Sequence, residues 1–206
     1  MRTVSSIFSH TDQKAKDILI AYVSRLVDLD STAAQALNDA VVVRRLKRKQ
    51  YIVQPGYVCT HRTYVVQGAM RAFLQGNDGV EYTIALSIDD WWITDYSSYH
   101  YQIPATLFVE AFEDSLVVQL PYEAEQELLA KHPIYERFFR IISQSSFANL
   151  QKRLLNNLSM DAESRYDAFV ARYPKVANRF PQYIIASFLG MSTEFLSKIR
   201  KRKAEQ

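Results

Sequence analysis

Between Thr11 and Leu29 the apolar residues Ala15, Ile18, Leu19, Tyr22, Val23, Leu26 and Val27 recur at intervals of three and four, the period of an amphipathic helix. A second, shorter helix is expected to start with Asp30 or Ser31 as its cap and to run through Leu37 to about Asp39. From Val41 the texture changes. Short β-branched and aromatic runs follow at Val41–Leu46, Tyr51–Val53, Tyr64–Gln67, Met70–Leu74, Val80–Leu86, Leu107–Phe112 and Leu116–Leu120. Turn residues separate them, among them Pro55-Gly56 and the stretch Gly76-Asn77-Asp78-Gly79. Many short strands so closely spaced predict an antiparallel barrel or sandwich over about 41–120.

After Pro121 the helical period returns. Glu123–Lys131 reads as a short helix, interrupted by His132-Pro133. From Ile134 to Leu158 the chain runs without glycine or proline, enough for a helix of about 37 Å. Phe138, Ile141, Ser145, Ala148, Lys152 and Leu155 alternate by three and four along it as a heptad-like seam, and a second apolar row lies beside it at Ile142, Leu150, Leu154 and Leu158. A helix with more than one apolar face must bury them against different things, here its own β domain, a partner helix and the segment that follows. Ser159 is the expected N-cap of the next helix, with Asp161 and Glu163 in its first turn where the helix dipole favours carboxylates, and Arg172 near its end. Tyr173–Pro181, bounded by Pro174 and Pro181, reads as a connector.

The segment from Gln182 to Lys201 reads QYIIASFLGMSTEFLSKIRK. Ile185, Ala186 and Leu189, then Met191, Leu196 and Ile199, describe two short helices joined by a tight turn. Gly190, the only glycine in the last 127 residues, sits where the first helix must end in a left-handed residue. Ala186 is small, as needed where two helices cross closely. Ser192 can cap the second helix, and Glu194 lies in its first turn. This is the spacing of a helix-turn-helix, whose second helix enters the DNA major groove. With Leu196 and Ile199 inward, the outward set is Thr193, Glu194, Ser197, Lys198 and Lys201. Glu194 can accept from a cytosine amino group and Lys198 can donate to guanine O6 or N7. Ser192, Arg200, Arg202 and Lys203 suit phosphates. Phe195 either packs partly inward or touches a thymine methyl.

Charge agrees with a polyanion at one end only. The net charge is +3, but residues 1–136 carry 12 Lys/Arg against 17 Asp/Glu, and residues 137–206 carry 13 against 5. At 48% hydrophobic and 23% charged the chain reads as a globular protein. It shows no apolar run long enough for a bilayer and no apolar stretch in its polar N-terminus, so a cytoplasmic protein without a membrane partner is expected. The single cysteine, Cys59, excludes intrachain disulfides, thiolate zinc sites and cysteine-held iron–sulfur clusters, and it reads as a small buried hydrophobe. His10, His61, His100 and His132 lack metal-ligand spacing, and no phosphate loop or nucleophile motif appears. No metal, cofactor or enzymatic activity is expected.

The order of parts adds a resemblance. Helix, β-roll, long helix and C-terminal helix-turn-helix together resemble the Crp-Fnr family of bacterial transcription regulators over nearly the whole chain. The residues that carry it are Tyr51-Ile52-Val53 with Pro55-Gly56, Tyr64-Val65-Val66-Gln67-Gly68, Val109-Glu110-Ala111, and Pro181 through Lys201. The last string is similar to the family's IASxLG-x-[ST]-xExLS-[RK]-IR form. The resemblance implies an α+β protein: N-terminal helices with an antiparallel β-roll like a cyclic-nucleotide-binding domain over 1–132, a long dimerisation helix over 133–158, and a helix-turn-helix DNA-binding domain over 159–206. It further implies a homodimer through 134–158 on an inverted-repeat operator in double-stranded DNA, with base-facing roles for Thr193, Glu194 and Lys198 and with RNA polymerase as a further partner.

The sensor half departs from the family. Cyclic-nucleotide-binding members hold the ribose with a Gly-Glu pair and the phosphate with Arg-Ser or Arg-Thr. Here Ile88-Asp89-Asp90-Trp91-Trp92 stands in the first place and Pro104-Ala105-Thr106 in the second. With Ala105 where the guanidinium belongs, and Asp89, Asp90 and Asp95 nearby, binding of cyclic AMP in the usual mode is not expected. An unknown effector or none remains, and Tyr82, Trp91, Trp92 and Tyr99, with Tyr96 and Tyr101, are candidates to line its pocket or simply to fill the roll. The chain ends five residues past Lys201, where the family's winged hairpin would continue, so weaker phosphate contacts are expected there. The alternative function is a ligand-binding or protein-interaction module that kept a helical hairpin without DNA affinity.

Overall fold

The computed structural model describes residues 11–204; the first ten residues of the polar N-terminal stretch lie outside them. Two helices come first among the described residues. Asp12–Ser24 (α1) starts at Thr11, whose hydroxyl accepts the Lys14 amide at 3.2 Å, and Ser31–Ala40 (α2) starts at Asp30, whose carboxylate accepts the Ala33 amide at 2.8 Å. The first helix stops about a turn short of Leu29, where its spacing had placed the end. Six strands follow: Val42–Leu46 (β1), Tyr51–Val53 (β2), His61–Gln67 (β3), Met70–Gln75 (β4), Glu81–Ser87 (β5) and Trp92–Ile93 (β6). A short helix, Tyr96–Tyr101 (α3), precedes Phe108–Ala111 (β7) and Ser115–Pro121 (β8). The seven predicted runs are all strands; β6 and α3 are additions.

The strands form two antiparallel four-stranded sheets, ordered β1-β8-β3-β6 and β2-β7-β4-β5. Alternation along the central strands assigns each residue to one of two cores. Val65 of β3 and Val117 of β8 point between the sheets, with Leu46, Val53, Met70, Ala72, Ile93, Val109 and the fully buried Cys59 and Tyr99. Their neighbours Tyr64, Val66, Leu116 and Val118 point the other way, under the α1–α2 layer. Gly68, at the turn out of β3, has φ +122°, and an added Cβ would lie 2.2 Å from the Ser115 hydroxyl, so only glycine fits where β8 passes.

Tyr122–Lys131 (α4) and Ile134–Ser159 (α5) close the helical layer, with Tyr135, Phe138 and Phe139 buried at the start of α5. Tyr135 donates its hydroxyl to the Ala33 carbonyl at 2.7 Å, tying α5 to α2. Arg62 of β3 is buried and pairs with the buried Glu125 of α4 at 2.7 Å; Glu125 also accepts the Tyr99 hydroxyl at 2.9 Å, and the Phe139 ring lies 4.6 Å from the guanidinium. One ion pair thus fixes α3, α4 and α5 to the sheet.

Four helices complete the chain: Ala162–Arg172 (α6), Pro174–Arg179 (α7), Gln182–Leu189 (α8) and Thr193–Ala204 (α9). Two expectations are corrected here. Ser159 is not the cap of α6 but the last residue of α5, where its hydroxyl donates to the Leu155 carbonyl; Asp161 takes the capping role, accepting the Ser164 amide at 2.8 Å. The connector Tyr173–Pro181 is mostly helix, because Pro174 occupies the first helical turn, where a missing N–H costs nothing. Phe169, Val176, Phe180, Ile184, Ile185 and Leu196 form the third core, and it also takes in Ala69, Leu86 and Ile88 of the roll.

Candidate nucleic-acid interface

Helix α8 ends at Gly190, whose φ is +67°, and the Met191 amide reaches back to the Ala186 carbonyl at 3.0 Å. An added Cβ there would meet nothing, so the left-handed backbone alone calls for glycine. This turn sets α9 across α8, with Ala186, Leu189, Leu196 and Ile199 buried at the crossing. Ser192 caps α9: its hydroxyl accepts the Phe195 amide at 3.2 Å, and its carbonyl accepts the Leu196 amide at 3.1 Å.

Burying Leu196 and Ile199 leaves the opposite face to solvent. Ser192, Thr193, Glu194, Ser197, Lys198, Arg200 and Lys201 are all exposed on it or at its ends. Phe195 is 48% exposed, so its ring lies at the margin of the face rather than in the core. The Glu194 carboxyl is held below its ordinary pKa by its own backbone N–H and by the Ser192 hydroxyl. At neutral pH it is therefore an acceptor only, as reading a cytosine amino group requires. Arg202 and Lys203, expected to suit phosphates, turn back instead: Arg202 pairs with Glu163, and Lys203 lies 2.8 Å from Asp167 and 3.4 Å from Glu163. They tie the last turn of α9 to α6.

The four aromatic candidates for an effector pocket do not converge. Tyr99 lies in the core between the sheets, its hydroxyl on Glu125. Trp92 packs with Tyr64, Phe138 and Phe139 under the helical layer. Trp91 stands edge-on to Tyr173, 5.7 Å away in the third core. Tyr82 sits half-exposed on β5. Alternation along the backbone, not a shared cavity, decides where each ring goes. Of the other two, Tyr96 stacks on His100 and bonds Ser143, and Tyr101 is 68% exposed.

No protein-family model matches the sequence, and no curated protein matches it. Solved structures do. The c-di-GMP responsive global regulator CLP from Xanthomonas campestris superposes with a TM-score of 0.70 at 13% identity, over 85% of this chain and 93% of that one. FixK2 from Bradyrhizobium japonicum gives 0.70 at 14% identity, over 81% and 85%. A transcriptional regulator assigned to the crp/fnr family from Eubacterium rectale gives 0.67 at 17% identity, over 86% and 85%. This is the fold of the Crp/Fnr regulators.

Pro104–Thr106 is the segment that the sequence resemblance sets in the place of the phosphate-holding pair of cyclic-nucleotide-binding members. Asp95, 2% exposed, places its carboxylate there: Oδ2 accepts the Thr106 amide at 3.0 Å and the Leu107 amide at 3.1 Å, while Oδ1 caps α3 through the Ser98 amide at 3.1 Å. The backbone donors of this loop already hold an anion belonging to the chain itself. The sequence alone marks Asp95 as a nearby charge and does not place it on these amides. The signal available was Asp-x-x-Ser at 95–98, an N-cap pattern. Among the described residues no group of three or more His, Cys, Asp or Glu is arranged to hold a metal ion, and no helix is long and apolar enough to cross a membrane.

Proposed function

We propose that the chain is a sequence-specific DNA-binding transcription regulator that acts as a homodimer, with α9 in the major groove and with an effector other than cyclic AMP or none. The observation that carries this reading is the outer face of α9: Thr193, Glu194, Ser197 and Lys198 are exposed on a helix whose other side is locked by Leu196, Ile199 and the Gly190 turn. Such a face is rigid and open, and it offers both an acceptor and a cation for base edges. The regulators that share the fold support the same role. Dimerisation is supported by the distal half of α5, where Phe147, Leu150, Leu154, Leu155 and Leu158 are between 54% and 78% exposed. RNA polymerase is the partner such a regulator would address.

Selection of bound duplexes from a random DNA pool tests the reading. The expected product is an inverted repeat with half-site centres about 10 base pairs apart, the spacing a two-fold pair of reading helices imposes. Lys198→Ala then relaxes the preference at one base pair and costs about 1–3 kcal/mol. No enrichment, or an unchanged operator affinity for Glu194→Ala combined with Lys198→Ala, overturns it. Binding should weaken steeply with salt as counterions are released; a protein-interaction module has no reason to show that slope. For the sensor half, the Asp95 carboxylate on the Thr106 and Leu107 amides excludes a cyclic phosphate from them, and micromolar affinity for cyclic AMP by calorimetry would refute that.

A further inference from the structure

Four consecutive residues at the β5–β6 turn face two different parts of the molecule. Asp89 accepts the Gly68 amide at 2.7 Å and a bond from Arg179, at the end of α7, at 2.8 Å. Asp90, held at φ +68°, accepts the Tyr64 hydroxyl at 2.5 Å and lies 3.6 Å from the Arg25 guanidinium beyond α1. Trp91 packs on Tyr173, next to α7, whereas Trp92 packs on Phe138 and Phe139 of α5. So Asp89 and Trp91 belong to the helix-turn-helix side, and Asp90 and Trp92 to the helical layer.

Two further contacts hold the helix-turn-helix to the same edge of the roll. Strand β5 is the outer strand of its sheet, and α8 covers it: the Ser187 hydroxyl accepts the Thr83 amide at 2.8 Å and donates to the Glu81 carbonyl at 2.8 Å. A side chain thereby satisfies backbone groups that an edge strand leaves open. Arg179 also reaches Glu113 in the β7–β8 turn, its Nε at 3.1 Å, and Phe112 in that turn packs on Phe180 at 5.0 Å. The ion pairs are partly exposed and individually weak. Their setting is not, because Leu86, Ile88 and Phe180 are each under 8% exposed in the core that the roll and the helices share.

We propose that Ser187, Arg179 and the Asp89–Trp92 turn form a latch that holds the helix-turn-helix on its own roll in the DNA-binding arrangement, so that operator binding needs no small-molecule effector. This rests on the DNA-binding reading above. The direction follows from exposure. With the latch closed, Thr193, Glu194, Ser197 and Lys198 are all open to solvent, and so is the apolar row of distal α5. Both surfaces that a DNA-bound pair would use are thus available while the latch is closed. The space between the sheets is filled by Tyr99, Met70, Ile93 and their neighbours, and the Thr106 and Leu107 amides are taken by Asp95. Neither of these two places is open to a ligand that would set the latch.

The Thr83 amide reports the latch directly, since its acceptor lies on α8. The experiment uses the full chain, unfolded and refolded to strip any bound small molecule, and an operator duplex selected as above. Hydrogen exchange should show the Thr83 amide protected in the free protein and no less protected on DNA, and operator binding should survive refolding. Ser187→Ala with Arg179→Gln should lose Thr83 protection and at least tenfold in operator affinity, while Ser187→Thr, which keeps the hydroxyl, should lose neither. Faster Thr83 exchange on DNA overturns the proposal. So does a double variant that binds as tightly as the parent, or operator binding that refolding abolishes. If no duplex is ever selected, the DNA-binding reading fails and takes the latch's purpose with it; a failed latch alone leaves operator binding intact.

Discussion

The uncovered row on α5 can be broken without touching the fold. Phe147, Leu150, Leu154 and Leu158 follow one another by three, four and four residues, and all face solvent in the protomer. The inward side of the same stretch is occupied: Arg153 donates to the Ile84 carbonyl and lies over the Phe188 ring, and Asn149 accepts a bond from Arg172. Leu154 is 56% exposed and Leu158 78%. Covering a leucine fully gives about 1.5–3 kcal/mol, so covering these fractions in two protomers gives about 4–8 kcal/mol for the two positions together. Replacing both by glutamate removes that and sets like charges against each other across the two-fold axis. A roughly 10³- to 10⁶-fold weaker dimer follows, at about 1.4 kcal/mol per tenfold. Sedimentation at micromolar concentration should give twice 23.8 kDa for the parent and 23.8 kDa for Leu154→Glu with Leu158→Glu, with unchanged far-ultraviolet circular dichroism. A monomeric parent, or a variant that stays dimeric, refutes the assignment of this row to a partner.

Three further outcomes follow from the geometry. Glu125→Gln leaves the buried Arg62 guanidinium without its counter-ion and should cost about 3–5 kcal/mol in urea unfolding; a loss under about 1 kcal/mol would show that the pair does not hold the helical layer. Gly190→Ala forces alanine into a left-handed conformation and should cost about 1–2 kcal/mol, with a further loss of operator affinity because α9 is aimed by this turn; equal stability would contradict the strain. The Asp161 carboxyl is held below the ordinary aspartate range by the Ser164 amide and hydroxyl, and Asp114 by the Arg48 amide and Lys47. A folded pKa below the unfolded one means stability that is full above about pH 5 and is lost as pH falls through the ordinary value of about 4 toward the depressed folded one. Asp161→Asn, which keeps the cap, should flatten that acid slope, and an unchanged slope would discount the residue.

What sequence could show depended on whether one periodicity ruled a segment. The strands were legible because each buried run alternates between turn residues, and α8 to α9 because Ala186, Gly190, Ser192, Leu196 and Ile199 obey local rules of crossing, turn and cap. The two α5 rows were visible, yet their assignment depends on position along the helix: Phe138, Ile141 and Ile142 at the near end turn inward on the helical layer, and Leu150, Leu154, Leu155 and Leu158 at the far end are uncovered. Local signals were also misjudged. Pro174 bounds an expected connector although the first helical turn accepts it, and Asp161, expected inside the first turn behind a Ser159 cap, is itself the cap of a helix that begins at Ala162. The short α3 lies in a run of tyrosines whose rings suggested a pocket before a helix.

The Asp89–Trp92 turn marks the limit of such reading. Two acids and two indoles in succession look like one cluster, a charged turn beside an aromatic wall. In the fold each neighbour goes a separate way, because Asp90 adopts a left-handed backbone and the strand after it alternates. Nothing local determines that Asp89 meets Arg179 ninety residues later, or that Trp91 meets Tyr173; those partners exist only once α6 and α7 lie on the roll. Their docking follows from Leu86 and Ile88, which cannot be covered from within the sheet and are covered by Phe180 and its neighbours. The apolar demand of β5 thus places the helix-turn-helix, and the polar contacts of Ser187 and Arg179 fix its orientation. Replacing Leu86 should therefore loosen the helices, whereas replacing Ser187 should leave them docked but misaligned, a difference that Thr83 exchange and operator affinity together can resolve.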